Sequence, residues 1–138
     1  MAAHLVSWQA AWDAALYADD GFFRTVRPAD HFRTSAHVGT FARAVAELAR
    51  RTDAATVVDL GAGGGELLTA LHALLPDVGL VGVEVASRPD GLPDDVAWTS
   101  VLPDRVDGLL IANEWLDNVP CPVVERDAEG CDRVVLVD

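Results

Sequence analysis

The spacing of apolar residues along the chain changes near residue 55, from helical to strand-like. Before that point apolar residues recur every three or four positions and predict two helices, one over 3–18 and one ending near residue 51. After it, short aliphatic and β-branched runs predict four strands, and leucines at helical spacing predict a helix between the first two. The strands are expected over 56–60, 78–85, 96–100 and 108–112, and this helix over 66–75.

The two N-terminal helices are expected to pack through apolar stripes. In the first, Trp8 and Trp12 fall on one stripe, which favours packing over direct stacking on a ligand. Ser35 or Thr40 can cap the second helix. Its inward positions are expected to be Val38, Phe41, Val45 and Leu48. Residues 17–35 mix Gly, Pro, Asp and aromatic residues without periodicity, which predicts a long ordered loop between the helices.

Nearly continuous apolar strands separated by crossovers are typical of a parallel sheet covered on both faces. Beyond residue 122, two further runs predict an antiparallel hairpin appended to that sheet, turning at 127–130. The predicted fold class is therefore α/β, with a doubly wound, Rossmann-like, mostly parallel sheet that is incomplete, an N-terminal helical extension and a C-terminal β-hairpin. We expect N-terminal helices and a substrate or cofactor loop over 1–52, and the sheet domain over 53–138.

The chain is strongly acidic, with 22 Asp and Glu against 10 basic residues, a net charge of −12 and no lysine. Such a field repels phosphate backbones and anionic membrane surfaces, so neither nucleic acid nor a membrane is an expected partner. The absence of lysine excludes a P-loop and Schiff-base chemistry. The apolar runs are too short to span a bilayer, and the first fifteen residues lack the pattern of a secretory leader, so we expect a cytoplasmic protein.

The two cysteines, Cys121 and Cys131, flank the predicted hairpin. With Cys131 expected opposite Arg126, Cys121 lies too far along the ladder for a disulfide, and two thiols alone do not form a structural zinc site. We expect both thiols to be reduced and predict no metal site.

The most informative motif is a glycine-rich turn, DLGAGGGE over 59–66, between a predicted strand and a predicted helix. Glycines allow a tight turn and a close approach of backbone to a ligand, and the free amides of the helix start favour an anionic group. A dinucleotide fingerprint requires a third small residue where this chain has Glu66, which disfavours NAD and FAD. The motif therefore predicts a different small cofactor.

Two carboxylates indicate which cofactor this is. Asp59, two residues before the first glycine, suits a ligand with an ammonium group, and Glu84, at the end of the second strand, is placed to accept ribose hydroxyls. S-adenosylmethionine carries both groups. The predicted cofactor-binding residues are Asp59, Gly61, Ala62, Gly63, Gly65 and Glu84.

A third element, ANEWLDNVP over 112–120, follows the fourth strand directly. In a doubly wound sheet the first and fourth strands are neighbours, so this segment is expected beside the glycine turn. Asn113, Glu114 and Asp117 are the predicted catalytic residues, which would orient a nucleophile or bind a cationic acceptor. Alternatively, they cap a short helix and bond the loop backbone.

These motifs resemble those of a known family. VVDLGAGGGELL, the acidic end of VGVEV and ANEWLDNVP are similar to class I S-adenosylmethionine-dependent methyltransferases, specifically the MidA-like group that includes the mitochondrial complex I assembly methyltransferase. Tyr17, the GFF of 21–23, the HFRTS of 31–35 and VAWTSVLPD are similar to further family segments. The most specific element is N-E-x-L-D-x-x-P, because the glycine turn is shared by all class I methyltransferases.

The resemblance implies a methyltransferase that binds S-adenosylmethionine through Gly61, Gly63 and Glu84 and lines its acceptor site with Asn113, Glu114 and Asp117. Our hypothesis is transfer of the methyl group to a nitrogen, with an oxygen as the less favoured alternative. The resemblance to the complex I assembly enzyme suggests a protein arginine, and the negative charge is compatible with a basic protein substrate. The chain departs from the family in two ways. Pro89 and Pro93 prevent the helix that usually follows the second strand, and only four of seven strands are present. We therefore expect an N-terminal portion of a longer protein or a truncated product.

Two alternatives stay open. One is a non-catalytic remnant that binds the cofactor or acts as an assembly factor, and the other is an NAD- or FAD-binding oxidoreductase domain. No motif in the sequence identifies the methyl acceptor, a general base or the oligomeric state.

Overall fold

The computed structural model describes residues 4–26 and 39–138. These residues form two compact units, which we call the terminal unit (Met1–Val26 with Asp117–Asp138) and the sheet unit (Arg27–Leu116). The boundary predicted between residues 52 and 53 falls inside the sheet unit. The elements are β1 (Val6–Ser7), α1 (Trp8–Tyr17), α2 (Phe22–Thr25), α3 (Gly39–Arg51), β2 (Thr56–Leu60), α4 (Glu66–Leu74), β3 (Gly79–Val83), β4 (Ala97–Thr99), β5 (Gly108–Ile111), a 3-10 turn (Leu116–Asn118), β6 (Val124–Arg126), β7 (Asp132–Val134) and β8 (Leu136–Val137).

The sheet unit is built on four parallel strands in the order β4-β3-β2-β5. Each is a short apolar run, as the sequence predicts, and β2 lies at the centre with Val57 and Val58 almost fully buried. The chain passes from β2 to β3 and β4 on one side and then returns to β5 on the other. This order confirms the predicted Rossmann-like α/β class.

Helices α3 and α4 pack against each other and close the main core of the sheet unit. The buried side of α3 consists of Ala42, Val45, Ala46 and Ala49. The expectation that Leu48 points inward is wrong, since its side chain is 46% exposed. Small alanines allow close helix packing, and they rotate the buried stripe away from Leu48. Thr40 lies inside α3, whereas Ser35 and Val38 fall outside the described residues.

The crossover from β3 to β4 contains no helix, as its prolines predict. Instead the segment folds back, and Leu92 and Val96 are buried in the core. The Arg88 guanidinium fixes this path by donating to three backbone carbonyls, those of Val96 at 2.5 Å, Pro93 at 2.7 Å and Leu92 at 3.2 Å. The loop thus provides part of the cover that a helix would otherwise give.

Gly82 in β3 lies in close contact with the side chains of Trp98 and Leu68, which leave no room for a larger residue. A Cβ at this position would lie 2.5 Å from Trp98 Cε3 and 3.0 Å from Leu68 Cδ1. We expect Gly82→Ala to lower the free energy of unfolding by about 1–3 kcal/mol, because the buried Leu68 and the partly buried Trp98 must shift. Urea unfolding measures this. Gly79→Ala, in the same strand, is the matched control, since its nearest contact would be an ordinary 3.4 Å to Thr56 Oγ1. Equal losses in both variants would contradict the prediction.

The terminal unit is formed from both ends of the chain. β1 pairs antiparallel with β8, matching Val6 with Val137 and Ser7 with Leu136. The predicted helix over 3–18 therefore begins only at Trp8, after Ser7, whose Oγ accepts from the Ala10 amide at 3.2 Å. No residue of α1 is fully buried. Trp8 is among the exposed apolar side chains, so the expected packing stripe is only partly covered.

β6 and β7 form the predicted hairpin, but as a two-stranded sheet of their own. The expectation that the hairpin extends the parallel sheet is therefore wrong. Arg126 pairs with Asp132, one residue beyond the expected Cys131. The cause is the turn, because the Asp127 carboxylate accepts from the amides of Glu129 at 3.1 Å and Cys131 at 2.7 Å and keeps Cys131 inside it. Both cysteines are free and exposed.

None of the helices in the described ranges combines the length and the apolar character that crossing a bilayer requires.

Candidate functional site

Three strands of the sheet unit end side by side at one edge of the sheet. Asp59 of β2 lies opposite Gly82 of β3 on one side and opposite Ile111 of β5 on the other. From β2 the chain first adds β3 and β4 on one side of the sheet and then β5 on the other, so the strand order reverses at β2. In open α/β sheets, ligands bind outside the carboxyl ends of the strands at such a point. The glycine turn, the end of β3 and the segment after β5 all emerge here.

The glycine turn has the backbone that its sequence predicts. Gly61, Gly63 and Gly65 have φ of +75°, +55° and +76°, in the left-handed region that other residues rarely adopt. Gly65 immediately precedes α4. None of the residues that the structure describes would lie within 4 Å of a Cβ on Gly63, so they leave the space at this part of the turn open. The Ala62 side chain is buried in the core, so only its backbone is available to a ligand.

The amides of the turn are already used by the protein. Those of Gly61 and Ala62 donate to the Val83 carbonyl at 2.9 and 3.3 Å, and that of Gly65 donates to the Ala62 carbonyl at 2.8 Å. The Gly63 amide donates to Glu84 Oε2 at 3.0 Å. These four amides are therefore already paired within the protein. The expectation that free amides attract an anionic group concerned the start of α4, which begins at Glu66, and these bonds do not test it.

Glu84 connects the end of β3 to the glycine turn. Besides Gly63, its carboxylate accepts from the Ala86 amide through Oε1, at 3.1 Å. These two bonds orient the carboxylate, and each oxygen keeps a further lone pair for a hydroxyl donor. The side chain is only partly buried. Glu84 is thus fixed at the rim of the turn and can still accept hydrogen bonds from a ligand.

Asp59 is the buried carboxylate of the site, with only 5% of its surface exposed. Burial raises its pKa from 3.8 to about 7, and the nearby Glu66 and Glu84 carboxylates add to the rise. Among the residues that the structure describes, none forms a hydrogen bond to the Asp59 side chain. A carboxylate in such surroundings is stabilised by a cation, because a cation offsets both the burial and the two negative neighbours.

The predicted acceptor residues are divided between the two units. Asn113 and Glu114 follow β5 in the sheet unit, where Asn113 is half-buried and Glu114 is exposed with φ of +52°. Asp117 lies in the 3-10 turn and belongs to the terminal unit. Its Oδ1 accepts from Asn118 Nδ2 at 3.4 Å. The structure therefore brings Asn113 and Glu114 to the edge of the sheet that carries the glycine turn, and Asp117 belongs to the terminal unit.

Helix α1 holds the end of this segment within the terminal unit. The Tyr17 hydroxyl donates to the Asn118 carbonyl at 2.6 Å, and Gln9 Nε2 donates to the Pro120 carbonyl at 3.2 Å. Tyr17 also stacks on Phe23, with ring centroids 5.6 Å apart. Two of the family-like aromatic positions in the N-terminal segment thus help to fix the C-terminal part of the ANEWLDNVP motif. The HFRTS segment lies outside the described residues.

Trp115 is the site residue that sequence reasoning overlooked. Its indole lies against Gly61, where a Cβ would be 3.0 Å from Trp115 Cγ and nearer still to Cδ1. Its position inside the NEWLD motif was visible in the sequence, but nothing in the sequence indicated its contact with the glycine turn. In the described ranges, no three His, Cys, Asp or Glu side chains are arranged to hold a metal ion.

The fold of the chain is similar to folds that are already known. The chain has the fold of two solved bacterial structures. Both are COG1565 superfamily proteins from Burkholderia thailandensis, one described as a "likely methyl transferase" bound to S-adenosyl-homocysteine and the other as uncharacterized. The first is 24% identical with a TM-score of 0.77, and the second 25% identical with a TM-score of 0.75.

Both matches cover 97% of this chain but only 43% and 41% of the solved chains. The chain therefore spans less than half the length of the proteins whose fold it shares. Neither a protein-family model nor a curated protein matches the sequence.

Proposed function

We propose that the chain carries the donor-binding part of an S-adenosylmethionine-dependent methyltransferase that methylates a nitrogen of its acceptor, with an arginine of a basic protein as the favoured substrate. The observation that carries the proposal is the arrangement of two carboxylates at an open glycine turn, with Asp59 buried in the strand that leads into it and Glu84 bonded to its Gly63 amide. The fold supports it, because one of the solved structures that share this fold holds S-adenosyl-homocysteine.

The residues present fit this donor. Gly63 leaves open space that a side chain would fill. Glu84 is oriented by two backbone amides and has lone pairs left for the two ribose hydroxyls. Asp59 is a buried carboxylate between two others, and an ammonium group would stabilise its charged form. A ligand with a diol at one end and an ammonium at the other satisfies both.

The donor supplies a methyl group on a positively charged sulfur, which is a good leaving group. The protein would align the acceptor nitrogen with that methyl, so that the carbon–nitrogen bond forms as the carbon–sulfur bond breaks and the nitrogen then loses a proton. Glu114 and Asn113, at the end of β5, would hold the acceptor. A Glu114 carboxylate paired with a guanidinium would neutralise the cation and raise the electron density on its nitrogens.

A non-catalytic donor-binding protein is the second candidate, because the contacts that support the proposal concern Asp59, Glu84 and the glycine turn, which would hold a donor. An NAD- or FAD-binding oxidoreductase is disfavoured, since the chain has Glu66 where a dinucleotide fingerprint requires a third small residue.

Calorimetric titration of S-adenosyl-homocysteine and, separately, of NAD into the purified chain tests the proposal. We expect saturable one-site binding of S-adenosyl-homocysteine and none of NAD. Incorporation of a labelled methyl group from S-adenosylmethionine into basic proteins, read at arginine, then tests catalysis. Binding without incorporation would favour the non-catalytic alternative. A folded chain that binds NAD, or neither ligand, would contradict the proposal.

A further inference from the structure

The feature behind this inference is the contact between Trp115 and Gly61, two residues of the sheet unit. Ile111 at the end of β5 lies opposite Asp59 in β2, so the segments that follow both strands leave the same edge of the sheet. Trp115 occupies the space directly against Gly61, since a Cβ there would be 3.0 Å from Trp115 Cγ and 3.3 Å from Trp115 Cβ. Gly61 is therefore needed for this contact as well as for its positive φ.

The backbone directly before Trp115 is strained. Glu114 has φ of +52°, a conformation that residues with a side chain adopt rarely and at an energetic cost. Strain of this kind persists only where the surrounding structure holds it, and it concentrates at ligand sites. Here it turns the chain after β5 so that the indole reaches the glycine turn. The position of Trp115 against Gly61 is thus fixed by the backbone conformation of Glu114.

The order of the strands shows which part of a donor Trp115 would meet. Glu84 follows β3, Gly61 follows β2 and Trp115 follows β5, and β2 lies between β3 and β5. Glu84 and Trp115 therefore lie on opposite sides of the turn. If Glu84 holds the ribose, the rest of the donor extends across the turn, past Asp59, toward Trp115. The indole is partly exposed and can contact such a ligand.

We propose that Trp115 is a specificity-determining residue that forms the wall of the donor site for the amino-acid half of S-adenosylmethionine. The inference rests on the proposed function and assigns to this side chain a role that neither the motif nor the fold gives. A large aromatic ring packed on the turn excludes water from the Asp59 end and gives the ligand's aliphatic chain an apolar surface.

The test compares two ligands that differ only in this half. S-adenosyl-homocysteine and 5′-methylthioadenosine share adenine, ribose and thioether, but the second lacks the amino-acid group. For Trp115→Ala we expect roughly a tenfold loss of affinity for S-adenosyl-homocysteine by calorimetry and less than about a twofold loss for methylthioadenosine. Trp115→Phe, which keeps an aromatic ring, is expected to retain most of the discrimination between the two ligands.

Binding of methylthioadenosine also reports whether the altered site is folded. Equal losses for both ligands would show that Trp115 only supports the loop, and no loss for either would show that it does not reach the donor. Each result overturns the inference while the proposed function stands. If the unaltered chain binds neither ligand, the proposed function fails, and this inference fails with it.

Discussion

Replacing Gly63 by valine is expected to weaken binding of S-adenosyl-homocysteine by roughly 100-fold or more. Gly63 has φ of +55°, and the position that a Cβ would take is not occupied by any residue of the described ranges. A valine side chain would therefore project into the volume assigned to the donor. It would also disfavour the backbone conformation that presents the Gly63 amide to Glu84. Calorimetric titration of both proteins measures the effect.

Gly130 offers a matched control for this substitution. It has φ of +80° and, like Gly63, no neighbour within 4 Å of a built Cβ, but it lies in the hairpin turn of the terminal unit. Gly130→Val should therefore lose comparable stability in urea unfolding and keep its affinity for S-adenosyl-homocysteine. Similar losses of affinity in both variants would mean that strain, rather than occupation of the donor site, is the cause.

Replacing Asp59 by asparagine is expected to stabilise the ligand-free protein near neutral pH. The folded-state pKa of Asp59 is about 7 against 3.8 for the free group. Below pH 3.8 the carboxyl is protonated in both the folded and the unfolded state, so it does not lower the free energy of unfolding. As the pH rises toward 7 the unfolded state ionises first, so the stability of the protein falls. Above pH 7 the loss is complete, and it amounts to about 4 kcal/mol. Asparagine does not titrate and avoids this loss.

Urea unfolding of both proteins between pH 4 and pH 8 measures the difference. We expect it to grow in favour of Asp59→Asn up to about pH 7 and then to level off. A difference that does not change with pH would contradict the raised pKa. Glu66→Gln is a useful companion variant, because removing a neighbouring negative charge should lower the Asp59 pKa without removing its carboxyl.

The same shift makes donor binding depend on pH. An ammonium ligand pairs with ionised Asp59, whose fraction rises about tenfold between pH 6 and pH 8 for a pKa near 7. The affinity for S-adenosyl-homocysteine should increase by a similar factor over this range. Titration in buffers of different ionisation enthalpy should show release of a proton near pH 7. Affinity that is constant from pH 6 to pH 8 would indicate that the ammonium group does not meet Asp59.

The parallel sheet could be predicted because each of its strands is a short, uninterrupted apolar run. The stripe of α3 could be predicted only in part. Val45 is buried and Phe41 packs against the core as expected, but alanines carry little hydrophobic signal, so Leu48 was predicted in place of Ala42 and Ala46. Pairing of β1 with β8 involves two residues from each end of the chain. Such a pair has no local signature, since its register depends on a partner far away in sequence.

For the candidate site, the types of residue indicated the shape of the turn, but the contacts between residues could not be predicted from the sequence. Glycines at 61, 63 and 65 indicated positive φ, and the structure shows it at all three. The hydrogen bond from the Gly63 amide to Glu84 was not foreseeable, because it depends on how far the turn reaches over the end of β3. The roles assigned to Asp59, Glu84, Asn113, Glu114 and Asp117 stay predictions until the titrations are made.

Because β1 pairs with β8, the order of synthesis on the ribosome separates the two units in time. Every strand of the parallel sheet has been made once residue 111 is complete, whereas Val6 and Ser7 have no partners until Leu136 and Val137 are added. Domains generally fold as units during synthesis. The nascent chain therefore carries an unpaired N-terminal strand, with Leu5 and Trp8 beside it, until residues 136 and 137 have been made.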